Sequence, residues 1–241
     1  MENKIQNEII NPSSQIYYIT EILKNYGYNN DENKVDFAVE IDRFDLIKYL
    51  HSKGYKGTKI AIAYAAENGH LEIIKYLHKL GYKRNKLAIN NAAENGHLEV
   101  LKYLHELGYK GTKDAINYAA MNGHLEVIKY LHELGYKGTK DAINNAVVDG
   151  YLDVVKYFIS LNYQVNECDI IYATRNNHLH ILKYFLEDLN LRGPENLIDV
   201  AFSNLMGPEN LNENFYDLMK GENSHLEVVK YLHEKGYYNK Q

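Results

Sequence analysis

An internal repeat governs what this chain can fold into. ENGHLEIIKYLHKLGYK, ENGHLEVLKYLHELGYK and MNGHLEVIKYLHELGYK set Gly69, Gly96 and Gly123 at a spacing of 27, and DGYLDVVKYF continues the series at Gly150. The period runs on to Asn177 in NNHLHILKYF and back to Asp42 in IDRFDLIKYLHSKGY. A half-unit, ITEILKNYGY, sets Leu23, Gly27 and Tyr28 one period before Leu50, Gly54 and Tyr55, and is read as an N-terminal cap over 1–32. A period of this length marks an array of supersecondary units, none of which can bury its apolar face alone.

Within the unit 114–140 the patterning predicts two helices. In the second, Leu125, Ile128, Leu131 and Leu134 recur at helical spacing with Val127 beside them, while Glu126, Lys129 and Glu133 take the other side. Gly135 supplies the left-handed residue that ends it. The first helix is expected from Asp114, as N-cap, through Ala115, Ile116, Ala119 and Ala120 to the turn pair Asn122-Gly123. Its small alanines allow close approach, so it is the helix expected between neighbouring repeats. The result is an all-α solenoid.

The segment Asp114-Ala115-Ile116-Asn117-Tyr118-Ala119-Ala120-Met121-Asn122-Gly123-His124-Leu125-Glu126-Val127-Ile128-Lys129 resembles the ankyrin pattern T-P-L-H-x-A-A-x-x-G-H-L-E-V-V-K. The likeness covers about 33–190 and returns at Ser224 to Leu232. Asp114 and Asn117 stand where the pattern has threonine and histidine, and the asparagine recurs as Asn90 and Asn144, so an asparagine ladder between repeats is expected. Only five residues separate Gly108 from Asp114, which leaves no room for the family's projecting β-hairpin finger. The compact, Asn-, Lys- and Tyr-rich unit is similar to ankyrin-repeat proteins of giant DNA viruses of amoebae. The resemblance implies an interaction role, with partners bound on the concave face.

After Asn190 the pattern is interrupted: Gly193-Pro194-Glu195-Asn196-Leu197 returns as Gly207-Pro208-Glu209-Asn210-Leu211. A proline at a helix start with an acidic residue behind it predicts two short helices here, one being the first helix of the last unit and the other an insertion within 191–223. The organisation read from the chain is a cap over 1–32, six repeats over 33–190, and an interrupted last repeat with a C-terminal cap over 191–241, giving seven helix pairs in all.

Composition narrows the function. The net charge is −5, so no global positive field attracts nucleic acid or an anionic membrane. No apolar run reaches membrane-spanning length and the first residues lack a signal-peptide pattern, which leads us to expect a soluble, intracellular protein, in the host cytoplasm if it is viral. One cysteine, Cys168, fits a reducing compartment and a buried, structural thiol at the start of a helix. His51, His78, His105 and His132 form one ladder and His70, His97, His124, His178 and His225 another. A metal needs nitrogens at about 2 Å, whereas repeats stack at roughly 10 Å, so no metal site is expected; His178 and His180 are expected to face different ways. No catalytic constellation or cofactor-binding motif is apparent, and no enzyme activity or cofactor is expected. Two tyrosine series, one from Tyr49 to Tyr231 on the second helices and one from Tyr28 to Tyr163 after the terminating residue, read as packing with the hydroxyl turned to solvent or a carbonyl, or alternatively as base-stacking platforms.

Variation between near-identical units singles out candidate binding residues. The slot before the small pair reads Phe37, Tyr64, Asn91, Tyr118, Asn145 and Tyr172, and the slots after it Glu67-Asn68, Glu94-Asn95, Met121-Asn122, Val148-Asp149 and Arg175-Asn176. Carried over from the ankyrin pattern, these point to Lys113, Tyr118, Met121, Lys140, Val148, Asp149, Tyr172 and Arg175 as partner-binding; drift in a duplicated array is the alternative. A lysine stripe at the turns, Lys56, Lys59, Lys83, Arg84, Lys86, Lys110, Lys113, Lys137 and Lys140, is either a solvated edge or an acidic-partner site. The reading is a monomeric, non-catalytic scaffold for a partner protein. Binding of nucleic acid or of an acidic partner at the lysine turns, and a passive spacer, are the alternatives.

Overall fold

In a computed structural model the described residues are 33–82, 85–205 and 224–238. The expected half-repeat within 1–32, Lys83, Arg84 and the second Gly-Pro-Glu-Asn-Leu segment from Gly207 lie outside them. Among the described residues there are fourteen α-helices, one π-helical turn and no strand. The chain divides into two compact units, Met1–Thr112 and Lys113–Gln241. The first holds α1 (Asn33–Glu40), α2 (Phe44–Ser52), α3 (Ala61–Glu67), α4 (Leu71–Lys79), α5 (Leu87–Glu94) and α6 (Leu98–Glu106). The second holds α7 (Asp114–Met121), α8 (Leu125–Glu133), α9 (Lys140–Val148), α10 (Leu152–Ser160), α11 (Glu167–Arg175), α12 (Leu179–Lys183), α13 (Leu197–Leu205) and α14 (Ser224–Glu234). Odd-numbered helices stack on one another within each unit, and each packs against the even-numbered helix that follows it. This is an all-α solenoid of helix-turn-helix repeats.

The alanines explain the stack. In α7, Ala115, Ile116, Asn117, Ala119 and Ala120 are all buried, which a helix achieves only when covered on two sides by neighbours that small side chains admit closely. In α8 the buried set is Val127, Ile128 and Leu131, whereas Leu125 and Leu134 are half-buried, so the apolar stripe is centred one residue away from the expected row. Gly135 ends it at φ +83°, with its N–H on the His132 carbonyl at 2.9 Å and the Tyr136 N–H on that of Leu131 at 3.0 Å.

The glycine of the Asn-Gly turn is required twice over. Gly123 has φ +72°, and a Cβ there would lie 2.4 Å from the Tyr151 ring of the next repeat; at Gly150, with φ +85°, the His178 ring would be 2.7 Å away. Asp42 and Asn177, in the same slot, adopt the left-handed conformation at φ +56° and +60°.

Asp114 does not cap α7. It is the first helical residue, preceded by Lys113 without a side-chain bond. Threonine does the capping elsewhere: the Thr58 hydroxyl oxygen accepts from the Ile60 N–H at 3.1 Å, and that of Thr139 from the Asp141 N–H at 3.2 Å. The same threonines meet the expected asparagine ladder. Asn117 Nδ2 donates to Thr139 Oγ1 at 3.0 Å and its Oδ1 accepts the Thr139 N–H at 3.1 Å; Asn90 holds Thr112 likewise at 2.9 and 3.0 Å. Asp36 takes both donors of Thr58, at 2.8 and 2.6 Å. At the next slot the clamp fails. Asn166 replaces the threonine, gives its N–H to Asp169 at 2.8 Å, and leaves Asn144 Oδ1 buried without a partner.

The C-terminal irregularity begins earlier than the sequence reading placed it. The terminating residues Gly54, Gly81, Gly108, Gly135 and Asn162 keep the period of 27, but the next left-handed residue is Asn190, 28 on. A π-helical turn, Tyr184–Asp188, absorbs the extra residue, with the Leu189 N–H on the Tyr184 carbonyl at 3.0 Å. Register then resumes: the Gly193 N–H donates to Tyr237 Oη at 3.0 Å, as Gly57 does to Tyr82 at 2.7 Å. The first Gly-Pro-Glu-Asn-Leu segment leads into α13, which pairs with α14, although the helix starts at Leu197 rather than at Pro194.

Candidate interaction surface

The first helix of each pair buries its alanine face and presents the slot before the small pair and the slot after it. What fills these slots differs in kind. Asn91 Nδ2 donates to Glu67 Oε2 at 3.0 Å and Asn145 Nδ2 to the Asn117 carbonyl at 3.2 Å, so at asparagine slots the side chain binds the preceding repeat. At Tyr118 it projects instead and is 39% exposed. In the second of the later slots the recurrent asparagine is a cap: Asn68, Asn95, Asn122 and Asn176 each donate Nδ2 to the carbonyl four residues back, at 2.9 to 3.0 Å. The first of those slots carries no such duty and varies as Glu67, Glu94, Met121, Val148 and Arg175.

All eight candidate residues fall in the second unit, in two groups. Tyr118 and Met121, three apart on α7, share a helix face, with Met121 38% exposed. Val148, the same slot on α9, is 36% exposed, and Asp149 beside it and Arg175 at the end of α11 are exposed; Tyr172 is half-buried. Lys113 and Lys140 are exposed at the opposite ends of α7 and α9, about 12 Å along the axis from Met121 and Val148 by helical rise. Lys140 instead lines a cleft with His132 and Tyr163.

The histidines serve the joints. Nε2 of His97 donates to the Glu67 carbonyl at 3.0 Å and that of His178 to the Val148 carbonyl at 2.8 Å. His180 Nε2 donates to the Gly150 carbonyl at 2.9 Å, so His178 and His180 address one turn, with ring centroids 5.8 Å apart, rather than facing apart as spacing predicts. Each reaches back over the turn to the preceding repeat. Among the described residues no three His, Cys, Asp or Glu side chains gather in metal-binding geometry. His51 and His132 hold the other ladder to the tyrosines, with Nδ1 at 3.3 Å from the hydroxyls of Tyr76 and Tyr157; burial pushes both imidazoles below the usual histidine range. Cys168 is exposed, contrary to the buried thiol expected. It lies in the first turn of α11, where its backbone N–H caps onto Asn166 and its side chain points outward. The threonine clamps, which the sequence reading missed, were signalled by the spacing of 22 between Asn117 and Thr139 that repeats at Asn90 and Thr112.

No helix among the described residues is long and apolar enough to cross a membrane. A family model of ankyrin repeats, in three copies, matches residues 35–114, 89–169 and 116–195, which together take in more than half of the chain. Comparison with curated proteins gives no match.

Proposed function

The chain belongs to the ankyrin-repeat family, and from that premise we propose that it is a non-catalytic scaffold binding a partner protein on the exposed face of its first helices. Ankyrin repeats generally mediate protein–protein interaction and are typically non-catalytic. The observation that carries the finer reading is the exposure of three large apolar side chains, Tyr118, Met121 and Val148, on adjacent first helices whose every other apolar residue is buried. Such side chains ringed by Asp149 and Arg175 have the make-up of an interface core with a charged rim. The asparagines of the same slots, spent on the preceding repeat, speak against drift as the source of the variation. Lys113 and Lys140 project at the other helix end and fall outside this surface.

The test is affinity capture from native extract with the wild type and with a variant carrying Tyr118→Ala, Met121→Ala, Val148→Ala and Arg175→Ala, after matching helical content by circular dichroism. A partner held by the wild type and lost by the variant is expected. A partner retained equally by both would move the site off the first helices.

A further inference from the structure

Two clefts open at equivalent turns, three periods apart. The first, about 450 Å³, is lined by His51, Tyr55, Lys56, Lys59, Leu80 and Tyr82. A phenol closes it: Tyr82 Oη lies 2.7 Å from His51 Nε2 and accepts the Gly57 N–H at 2.7 Å. The second, about 680 Å³, is lined by His132, Tyr136, Lys137, Lys140, Leu161 and Tyr163. Here the phenol is turned aside. Tyr163 Oη donates to the Gly138 carbonyl at a long 3.4 Å, its ring centroid is 6.4 Å from that of His132 against 5.7 Å for the His51 and Tyr82 pair, and His132 Nε2 is buried without a partner.

A buried ring nitrogen without a partner calls for an explanation, because the same atom three units earlier, on His51, is satisfied. The earlier cleft also identifies the chemistry that satisfies it, a phenolic hydroxyl. Burial keeps the His132 imidazole neutral at pH 7, so it asks for a hydrogen-bond partner and not for a counter-ion. The walls are Leu161, Ile143 and the tyrosine rings, and at the rim stand the exposed Lys137 and Lys140, neither ion-paired with any acid among the described residues. A volume of this order accommodates a small ligand.

We propose that the His132 cleft binds a phenol carrying a carboxylate when Tyr163 swings off the His132 ring and uncovers Nε2, with the ligand ring against Leu161 and Tyr163, the hydroxyl on His132 Nε2 in place of the contact that Tyr82 makes with His51, and the carboxylate toward Lys137 and Lys140. Either a free hydroxyphenyl acid or the C-terminal tyrosine of a partner chain offers this chemistry. The site is independent of the first-helix surface, since the two lie at opposite ends of the same helices.

The experiment is a titration of the full-length protein, labelled with ¹⁵N, followed through two-bond correlations of the histidine side chains. One arm uses 4-hydroxyphenylacetate and the other a short neutral peptide ending in tyrosine. A saturable shift at His132 Nε2 without one at His51 is the expected result. A response to the free acid assigns a small-molecule site, and a response to the peptide alone assigns a partner's chain end. Phenylacetate, which lacks the hydroxyl, should bind about fivefold more weakly, and Lys137→Gln with Lys140→Gln, both surface changes, should cost about fivefold in affinity for 4-hydroxyphenylacetate. The proposal is overturned if neither probe shifts His132, if His51 responds equally, or if a Tyr163→Phe change alone moves the His132 Nε2 resonance as far as saturation does, which would mean that Tyr163 already fills the site.

Discussion

Replacing Asn117 by alanine removes both halves of a clamp, the Nδ2 bond to Thr139 Oγ1 at 3.0 Å and the Oδ1 bond from the Thr139 N–H at 3.1 Å. Each such bond contributes about 1 kcal/mol net, and the stranded, half-buried Thr139 N–H adds desolvation cost, so a loss of about 2–3 kcal/mol is expected. Asn144 is the control supplied by the array itself: it occupies the same slot in α9, but its Oδ1 has no partner because Asn166 has replaced the threonine. Asn144→Ala should therefore cost less than about 1 kcal/mol, because it removes a buried acceptor that bonds to nothing. The gain in helix propensity from alanine is the same at both sites and cancels in the comparison. Urea unfolding followed by circular dichroism gives the two differences, and the melting temperature should drop by roughly 4–12 °C for Asn117→Ala, at about 2–4 °C per kcal/mol for a chain of this size. Amide exchange adds a local readout, since the Thr139 N–H should lose protection in the Asn117 variant and keep it in the Asn144 variant. Equal losses at both positions, or a Thr139 amide whose protection is unchanged, would refute the assignment of inter-repeat cohesion to the clamp.

Three further outcomes are expected. Gly123→Ala should cost about 3 kcal/mol, the left-handed backbone plus the collision with the Tyr151 ring at 2.4 Å, whereas Gly135→Ala, at φ +83° with open space around it, should cost about 1 kcal/mol; urea midpoints check both. Tyr82→Phe removes a hydroxyl bonded to both His51 and the Gly57 N–H and should cost about 2 kcal/mol by the same measure, while Tyr163→Phe, losing only a 3.4 Å contact, should cost under about 0.5 kcal/mol. Burial lowers the folded-state values of His51 and His132 from 6.5, so the unfolded chain takes up protons first as pH falls. Their contribution is complete above about pH 6.5 and is lost as pH drops through the lowered folded values. The urea midpoint should then fall between about pH 7.5 and 5.5, and fall less for His51→Gln with His132→Gln; parallel curves would relieve these imidazoles of the effect.

How far the sequence reaches is best seen by comparing Asn117 with Asn144. Both obey the period, so both are legible as positions, and the helices, the Asn-Gly turns and the buried alanines follow from the same regularity. What periodicity cannot tell is whether a partner one turn later is present, because the clamp is a relation between two slots 22 apart in different helices. The asparagine ladder was readable and its threonine half was not, since a lone threonine before a helix reads simply as a cap. The π-helical turn was missed for a related reason: one extra residue between Asn162 and Asn190 alters no helix pattern and appears only when the left-handed residues themselves are counted. Cys168 went the other way, because the general burial of free thiols was outweighed by its place on the outward side of the first turn of α11. The same logic separates the candidate site into parts. Met121 and Val148 stand out because, unlike Glu67 in the same slot, whose carboxylate accepts the Asn91 Nδ2, they are exposed apolar side chains with no bond to a neighbouring repeat, so side-chain chemistry there is free to answer to a partner. Lys113 and Lys140 are grouped with them by the resemblance to the ankyrin pattern, yet a first helix of about 12 Å keeps its two ends apart. An array of this kind therefore offers two separate surfaces for selection to work on, one at each end of its first helices, and the departures from repetition at His132, Tyr163 and Asn166 cluster at the end where, of the eight expected binding residues, only Lys113 and Lys140 stand.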